Sequence, residues 1–238
     1  MSGRLTDTVS AEVLKLRTLP AVRAAVLGTV AAAAGLTALL ATAQNAPTDA
    51  ESAVVQAMPY LQVGAALLGI LGTASEYAGG QVRTTLTAAP RRGRLLTAKT
   101  AACLLASAVM GAGAVAAGLV GASLALSGAE VLSGASAWPL AGMAAYLALL
   151  ALLAHLLTVV ARSPLPPLVS LLGLLLIVSP LLAGMTEHAR WLPDRAGRLL
   201  YLPGADPVLT PWTGGLVLLA WVVAAGGSAA RVFHRRDA

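Results

Sequence analysis

The sequence predicts an all-α, polytopic membrane protein with six transmembrane helices and both termini cytoplasmic. Three observations predict it. First, 58% of the 238 residues are hydrophobic and 11% are charged, with a mean hydropathy of +0.80. A soluble domain carries about a quarter charged residues, so this chain lacks the charge to cover a water-facing surface. Second, six stretches of 20 to 31 residues contain no Asp, Glu, Lys or Arg, and about 20 apolar residues cross a hydrocarbon core of about 30 Å. Backbone in lipid must satisfy its own hydrogen bonds, and these runs are too long and continuous for barrel strands, so they read as helices. Third, counting spans from a cytoplasmic N-terminus puts 13 Lys and Arg with four acids inside, against three Arg with six acids outside. That is a positive-inside distribution. Residues 1–238 read as one transmembrane domain.

The elements follow in chain order. Over residues 8–20, Val9, Val13, Leu16 and Leu19 recur at helical spacing, with Glu12, Lys15 and Arg17 elsewhere on the turn. This predicts an amphipathic helix lying in the cytoplasmic interface, its basic side toward anionic lipid headgroups. Pro20 marks a bend into a span at about 22–43. Ala41-Thr42-Ala43 ahead of Gln44 has the small residues of a signal-peptidase site. The 20-residue apolar run exceeds a secretory core of about 7–15 residues, so the span is expected to be retained.

The second span is expected at about 54–75, and the cytoplasmic segment 76–99 follows. That segment begins with Glu76 and Tyr77, loosens at Gly79-Gly80, breaks at Pro90 and ends in Arg91, Arg92, Arg94 and Lys99, a cluster sufficient to fix topology. Further spans are expected at about 100–126, 138–161, 165–185 and 212–230. Outside, Asp194 to Leu202 between Pro193 and Pro203 reads as one or two amphipathic turns on the surface. Trp138, Trp191, Tyr201 and Trp212 fall near the outer boundary, where amphipathic rings collect.

The chemistry the sequence excludes is informative. A single cysteine, Cys103, gives no disulfide framework and no metal cluster, and reads as a small buried hydrophobe. Aromatics at 4% offer no base-stacking platform, so the +6 charge marks topology rather than nucleic-acid binding. Neither Lys15 nor Lys99 follows a glycine, which excludes a P-loop. There is no HExxH pair and no G-x-S-x-G elbow; Gly134-Ala135-Ser136 resembles an intramembrane serine protease motif only in part, with Ala137 in place of a glycine. The chain is therefore expected to be no enzyme and to bind no cofactor itself.

His155 is the ionisable group inside a span, seven residues before Arg162. Two readings stand for it: a position on a transport path, or a neutral imidazole that bonds a neighbouring helix and aids packing. Gly113, Ala117 and Gly121 form a stripe suited to close helix contact. All ten acids lie outside the charge-free stretches, which argues against coupling through a buried carboxylate. Any transport energy would then come from a partner.

Two segments carry a family resemblance. Glu12-Val13-Leu14-Lys15-Leu16-Arg17-Thr18 resembles the opening of actinobacterial ABC (ATP-binding cassette) transporter permeases of the type-2 exporter class. Glu76, Tyr77, Gly80, Arg83, Thr84, Thr85, Leu86, Pro90, Arg91, Arg92 and Lys99 resemble the same family's stretch after span 2. The resemblance implies a permease homodimer, or a pairing with a similar permease, in the cell membrane. It also implies a separately encoded ATPase that holds the ATP and Mg. Glu76, Tyr77, Gly80, Arg83, Thr84 and Leu86 would belong to the coupling element that meets this ATPase, with the helix of Glu12, Lys15 and Arg17 bracing it. Members export drugs, peptides and lipids, so the resemblance names no substrate. A non-transporting membrane scaffold or sensor is the other reading.

Overall fold

A computed structural model describes residues 5–43, 47, 49–78, 92–126 and 137–235. The described residues contain helices and no strand. In chain order they are α1 (Leu5–Thr18), α2 (Pro20–Ala41), α3 (Ala50–Ala78), α4 (Arg92–Ala125), α5 (Ala137–Ala161) and α6 (Leu165–Met185). A 3-10 turn (Glu187–Trp191), the short α7 (Pro193–Arg198) and α8 (Pro211–Arg235) complete the chain. Six of these, α2 to α6 and α8, are long and apolar enough to cross a membrane.

Local chemistry sets the boundaries. Leu19 is extended (φ −69°, ψ 121°) between α1 and α2, and Pro20 opens α2, where its missing N–H costs nothing. Asp49 caps α3: its Oδ1 accepts from the Ser52 N–H at 2.8 Å and its Oδ2 from the Ser52 hydroxyl at 2.9 Å. The turn between α5 and α6 closes on Arg162, which takes φ 53° and sends its guanidinium to the Val232 carbonyl of α8 at 3.4 Å. Helix α4 begins at Arg92, two turns before the apolar stretch expected from about residue 100, because residues 92–99 continue the helix ahead of the hydrocarbon-spanning part.

Packing centres on α5. It is apolar all round, as a helix enclosed by others is, and Met143, Tyr146, Leu147, Leu150, Ala151 and Leu153 are all but inaccessible. Helices α3, α4 and α8 surround it, and α2 packs on α3 and α4. Small residues set the closest crossings. A Cβ on Gly69 of α3 would fall on the Ala151 carbonyl of α5, and one on Gly121 of α4 on the Ala34 carbonyl of α2. The Gly113 and Gly121 stripe thus faces α2, where the Thr37 hydroxyl also donates to the Gly118 carbonyl at 2.8 Å.

At the end opposite α1, the chain departs from the expected surface turns. Helix α7 is buried at Pro193, Ala196 and Gly197, and Leu199 and Tyr201 beyond it are buried as well. The Trp221 indole N–H donates to the Trp191 carbonyl at 2.9 Å. Trp221 stands ten residues into α8, about 15 Å along it by helix rise. The segment therefore folds back between the ends of the spans. Two features permit this: Gly197 lets α7 lie against the Tyr146 ring and Leu218, and Asp194 and Arg195 meet each other and Ser179 of α6. Tyr201 packs its ring on Tyr146, centroids 5.5 Å apart and planes tilted by 56°. Trp138 and Trp212 pair at 4.9 Å and stay partly exposed.

Candidate functional site

Two polar clusters lie at opposite ends of this bundle. The first, at the α1 end, joins four helices. Lys99 of α4 donates to Glu12 Oε1 of α1 at 2.9 Å, and the two side chains are only 9% and 13% exposed. An ion pair this shielded is weakened little by salt and fastens α1 against α4. Sequence periodicity alone groups Lys99 with the topology-setting basic cluster, because its partner is 87 residues away. One signal was present: at 100° per residue Glu12 falls between Leu16 and Leu19, inside the apolar arc of α1. Val9, Val13, Leu16 and Leu19 are half-buried and Leu16 reaches toward Gly72 of α3, so the apolar face meets protein as well as interface. Arg17 is exposed, and Lys15 half-buried.

Next to this pair, His155 of α5 is 4% exposed. Its Nδ1 is 2.6 Å from the Thr73 hydroxyl of α3, and its Nε2 is 3.5 Å from the Thr100 hydroxyl of α4. Thr73 and Thr100 also donate to the Gly69 and Leu96 carbonyls of their own helices. Each hydroxyl has one proton, so a neutral imidazole bridges α3, α4 and α5 by donating to one threonine while the other turns its proton from its own carbonyl to the ring. A cavity of about 20 Å³, room for about one water, lies among Glu12, Thr73, Lys99, Cys103 and His155. Cys103 is buried and free.

Helix α3 runs through Glu76 and Tyr77 to Ala78 at this same end. The side chains of Glu76 and Tyr77, and all of Gly80, Arg83, Thr84 and Leu86, lie outside the described residues.

The second cluster, at the α7 end, is one the sequence reading missed. Ser179 of α6 donates its hydroxyl to Asp194 Oδ2, and Arg195 donates from Nε to Ser179 Oγ at 3.1 Å. Asp194 Oδ1 is buried without a hydrogen-bond partner. Burial pushes the Asp194 carboxyl above its usual range, opposed by the Ser179 bond and by Arg195. Burial likewise pushes the Tyr201 hydroxyl up to about 12, against the pull of Arg198. By contrast, Asp206 is held below its ordinary value by the Leu209 and Val208 N–H groups and by Arg190. By sequence Asp194 belongs to an outside segment, but the fold carries its carboxyl group to a serine of a spanning helix.

The profile of the ABC-2 family transporter proteins matches residues 8–179, well over half of the chain. The chain belongs to the ABC-2 transporter family. Comparison with curated proteins gives no match. With six spanning helices, the chain is a multi-pass membrane protein and an ABC transporter permease, and membership of this family implies a partnering ABC ATPase. The match covers α1 through Val178 and Ser179 of α6, and so takes in the whole Glu12–Lys99–His155 cluster. It stops before α7.

Proposed function

We propose that this permease is the membrane subunit of an ATP-driven exporter for a drug, peptide or lipid-like substrate. Two copies, or one copy and a similar permease, form the membrane part in the plasma membrane with both termini cytoplasmic. ATP and Mg are bound and hydrolysed in the separate ATPase, and this chain has no catalytic or cofactor role. Segment 76–99, with Glu76, Tyr77, Gly80, Arg83, Thr84 and Leu86, meets the ATPase, and α1 braces it.

The observation that carries this reading is the Glu12–Lys99 pair. It fastens α1 to α4 at the basic end of the bundle, where α3 runs out and segment 76–99 begins. Immediately behind it, the Thr73–His155–Thr100 bridge ties α3, α4 and α5 together. A push delivered at this end would move these helices as a unit, as a coupling contact requires.

The test is co-expression with a separately encoded ABC ATPase, followed by reconstitution. The pair should co-purify and show ATP-dependent transport. Glu76→Ala and Arg83→Ala should lower transport while membrane insertion stays unchanged. Normal transport by both variants would overturn the coupling assignment, and ATP hydrolysis without transport of any cargo would favour a scaffold or sensor.

A further inference from the structure

A cavity of about 260 Å³ opens between α3, α6 and α7. Its apolar lining comes from Val55 and Pro59 of α3 and Leu175 and Pro180 of α6. Gln56 and Gln62 of α3, with Arg195, Arg198 and Tyr201 from α7 and beyond it, supply the polar lining. The two arginines of this lining can only donate. Gln62 Oε1 is occupied by the Tyr146 hydroxyl at 2.6 Å, so what Gln62 has left to offer is its amide N–H pair. Asp194 is the one carboxylate in the lining, and it is turned away: Oδ2 accepts from Ser179 and Oδ1 is sealed from the open space.

The cationic groups here are unequally compensated. On the far side of the same two arginines lies a second cavity of about 200 Å³, where Arg190 also lines the wall. Arg190 is neutralised by Glu187 at 2.9 Å and Asp206 at 3.7 Å. Arg195 has Asp194 at 4.0 Å. Arg198 is exposed and, among the described residues, has no carboxylate within ion-pair distance. It shares its cavity with Tyr146, nine residues into α5 and so about 14 Å along that helix by rise. A guanidinium that lines a partly apolar cavity with no carboxylate beside it among the described residues is available to an anion. Its planar fork fits a phosphate or carboxylate.

We propose that this cavity binds the acid headgroup of an anionic amphiphile, a phosphate or carboxylate joined to an alkyl chain. Arg198 and Arg195 are its donors, and the apolar lining of Val55, Pro59 and Leu175 lies against the first part of the chain. The proposal deepens the exporter reading, and rests on it only in treating this amphiphile as cargo.

The experiment uses the full chain assembled with its ATPase in phosphatidylcholine nanodiscs. Dioleoyl phosphatidate and oleate are the probes, and lipid retained after release is read by native mass spectrometry. Charge-assisted hydrogen bonds of about 1.5–3 kcal/mol predict that both probes are retained at least about tenfold over phosphatidylcholine. Arg198→Gln, at an exposed side chain, should remove that preference. Arg231→Gln, an exposed cation at the other end of the bundle, should not.

Equal retention of anionic and zwitterionic lipid, or an unchanged preference in Arg198→Gln, overturns the proposal. A cavity filled by a second copy in the assembly would give that same negative result. Displacement of the probes by inorganic phosphate at comparable concentration would also overturn it, since the site would then take a free anion. Co-purification and ATP hydrolysis are measured on the same sample. Loss of those with lipid preference intact removes the exporter reading alone, and the converse removes this site alone.

Discussion

The two polar clusters of this permease are built in opposite ways. At the α1 end, charges from segments 87 residues apart meet in one short ion pair, and threonines on two helices face the two nitrogens of His155. At the α7 end, the charged residues are neighbours in sequence, and the cluster stays incomplete: one carboxylate oxygen is buried without a partner, and Arg198 faces open space. The first arrangement fixes helices against one another. The second holds two guanidiniums beside a cavity. Closure marks a structural joint, and incompleteness marks a place for something else to bind.

The largest expected effect tests the closed cluster. Removing one partner of a shielded ion pair costs about 3–5 kcal/mol, so Lys99→Met should destabilise the permease by about 3 kcal/mol in unfolding titrations in lipid. The double variant with Glu12→Gln should recover more than half of that loss. A single-variant cost no larger than that of an ordinary surface change, about 0.5 kcal/mol, would show that this pair does not hold α1. Gly69→Ala comes next. Its new methyl meets the Ala151 carbonyl and should cost about 1–3 kcal/mol by forcing α3 from α5, read as a lower melting temperature. Full stability would mean that α3 and α5 are not locked below His155.

Thr73→Val should cost about 1–2 kcal/mol because it strips the Nδ1 side of His155 of its partner. A Thr73→Ser control should stay near wild type. Trp221→Phe removes one bond between α8 and the Trp191 carbonyl, and interhelical bonds of this kind in lipid average about 0.6 kcal/mol. Faster proteolysis after Trp191, with little change in global stability, is the expected readout.

A pH titration of stability separates two acids of the α7 end by sign rather than size. Asp194 is raised above its ordinary 3.8, so the folded state holds the proton longer than the unfolded chain. Its contribution is present at low pH and falls as pH rises from 3.8 through the raised value. Asp206 is depressed below 3.8, so its contribution is present above 3.8 and is lost as pH falls through the lower folded value. Asp194→Asn and Asp206→Asn should remove slopes of opposite sign. Slopes of the same sign would mean that Asp194 is not desolvated.

Much of the fold was legible because spans declare themselves by lacking charge. The Gly113 and Gly121 stripe was legible as a close contact, and the structure supplies α2 as its partner. Two features were not legible, and for one reason: charge was read as a sign of water. Lys99 appeared as part of a topology cluster, yet it is buried because Glu12 comes to it from α1. Asp194 and Arg195 appeared as surface residues, yet they descend with α7 because each has the other and Ser179. Pairing is a property of the folded chain, and a one-dimensional charge count cannot register it.

The π turn at Leu174–Val178 has a consequence for α6 as a whole. The buried positions of this span, Pro167, Leu171, Leu175 and Ser179, recur every fourth residue. A helix of 3.6 residues per turn would swing such a row by about 40° at each step, about 120° from first to last. The wider turn, in which the Ser179 N–H reaches the Leu174 carbonyl, slows that rotation and keeps Ser179 in phase with the rest. Deleting one residue from the turn should therefore leave a plain helix with Ser179 still in line with Asp194, whereas converting the turn to α-helix at full length would swing it about a quarter-turn away. The span is in effect a spacer tuned to a four-residue beat, with one residue more than a plain helix needs.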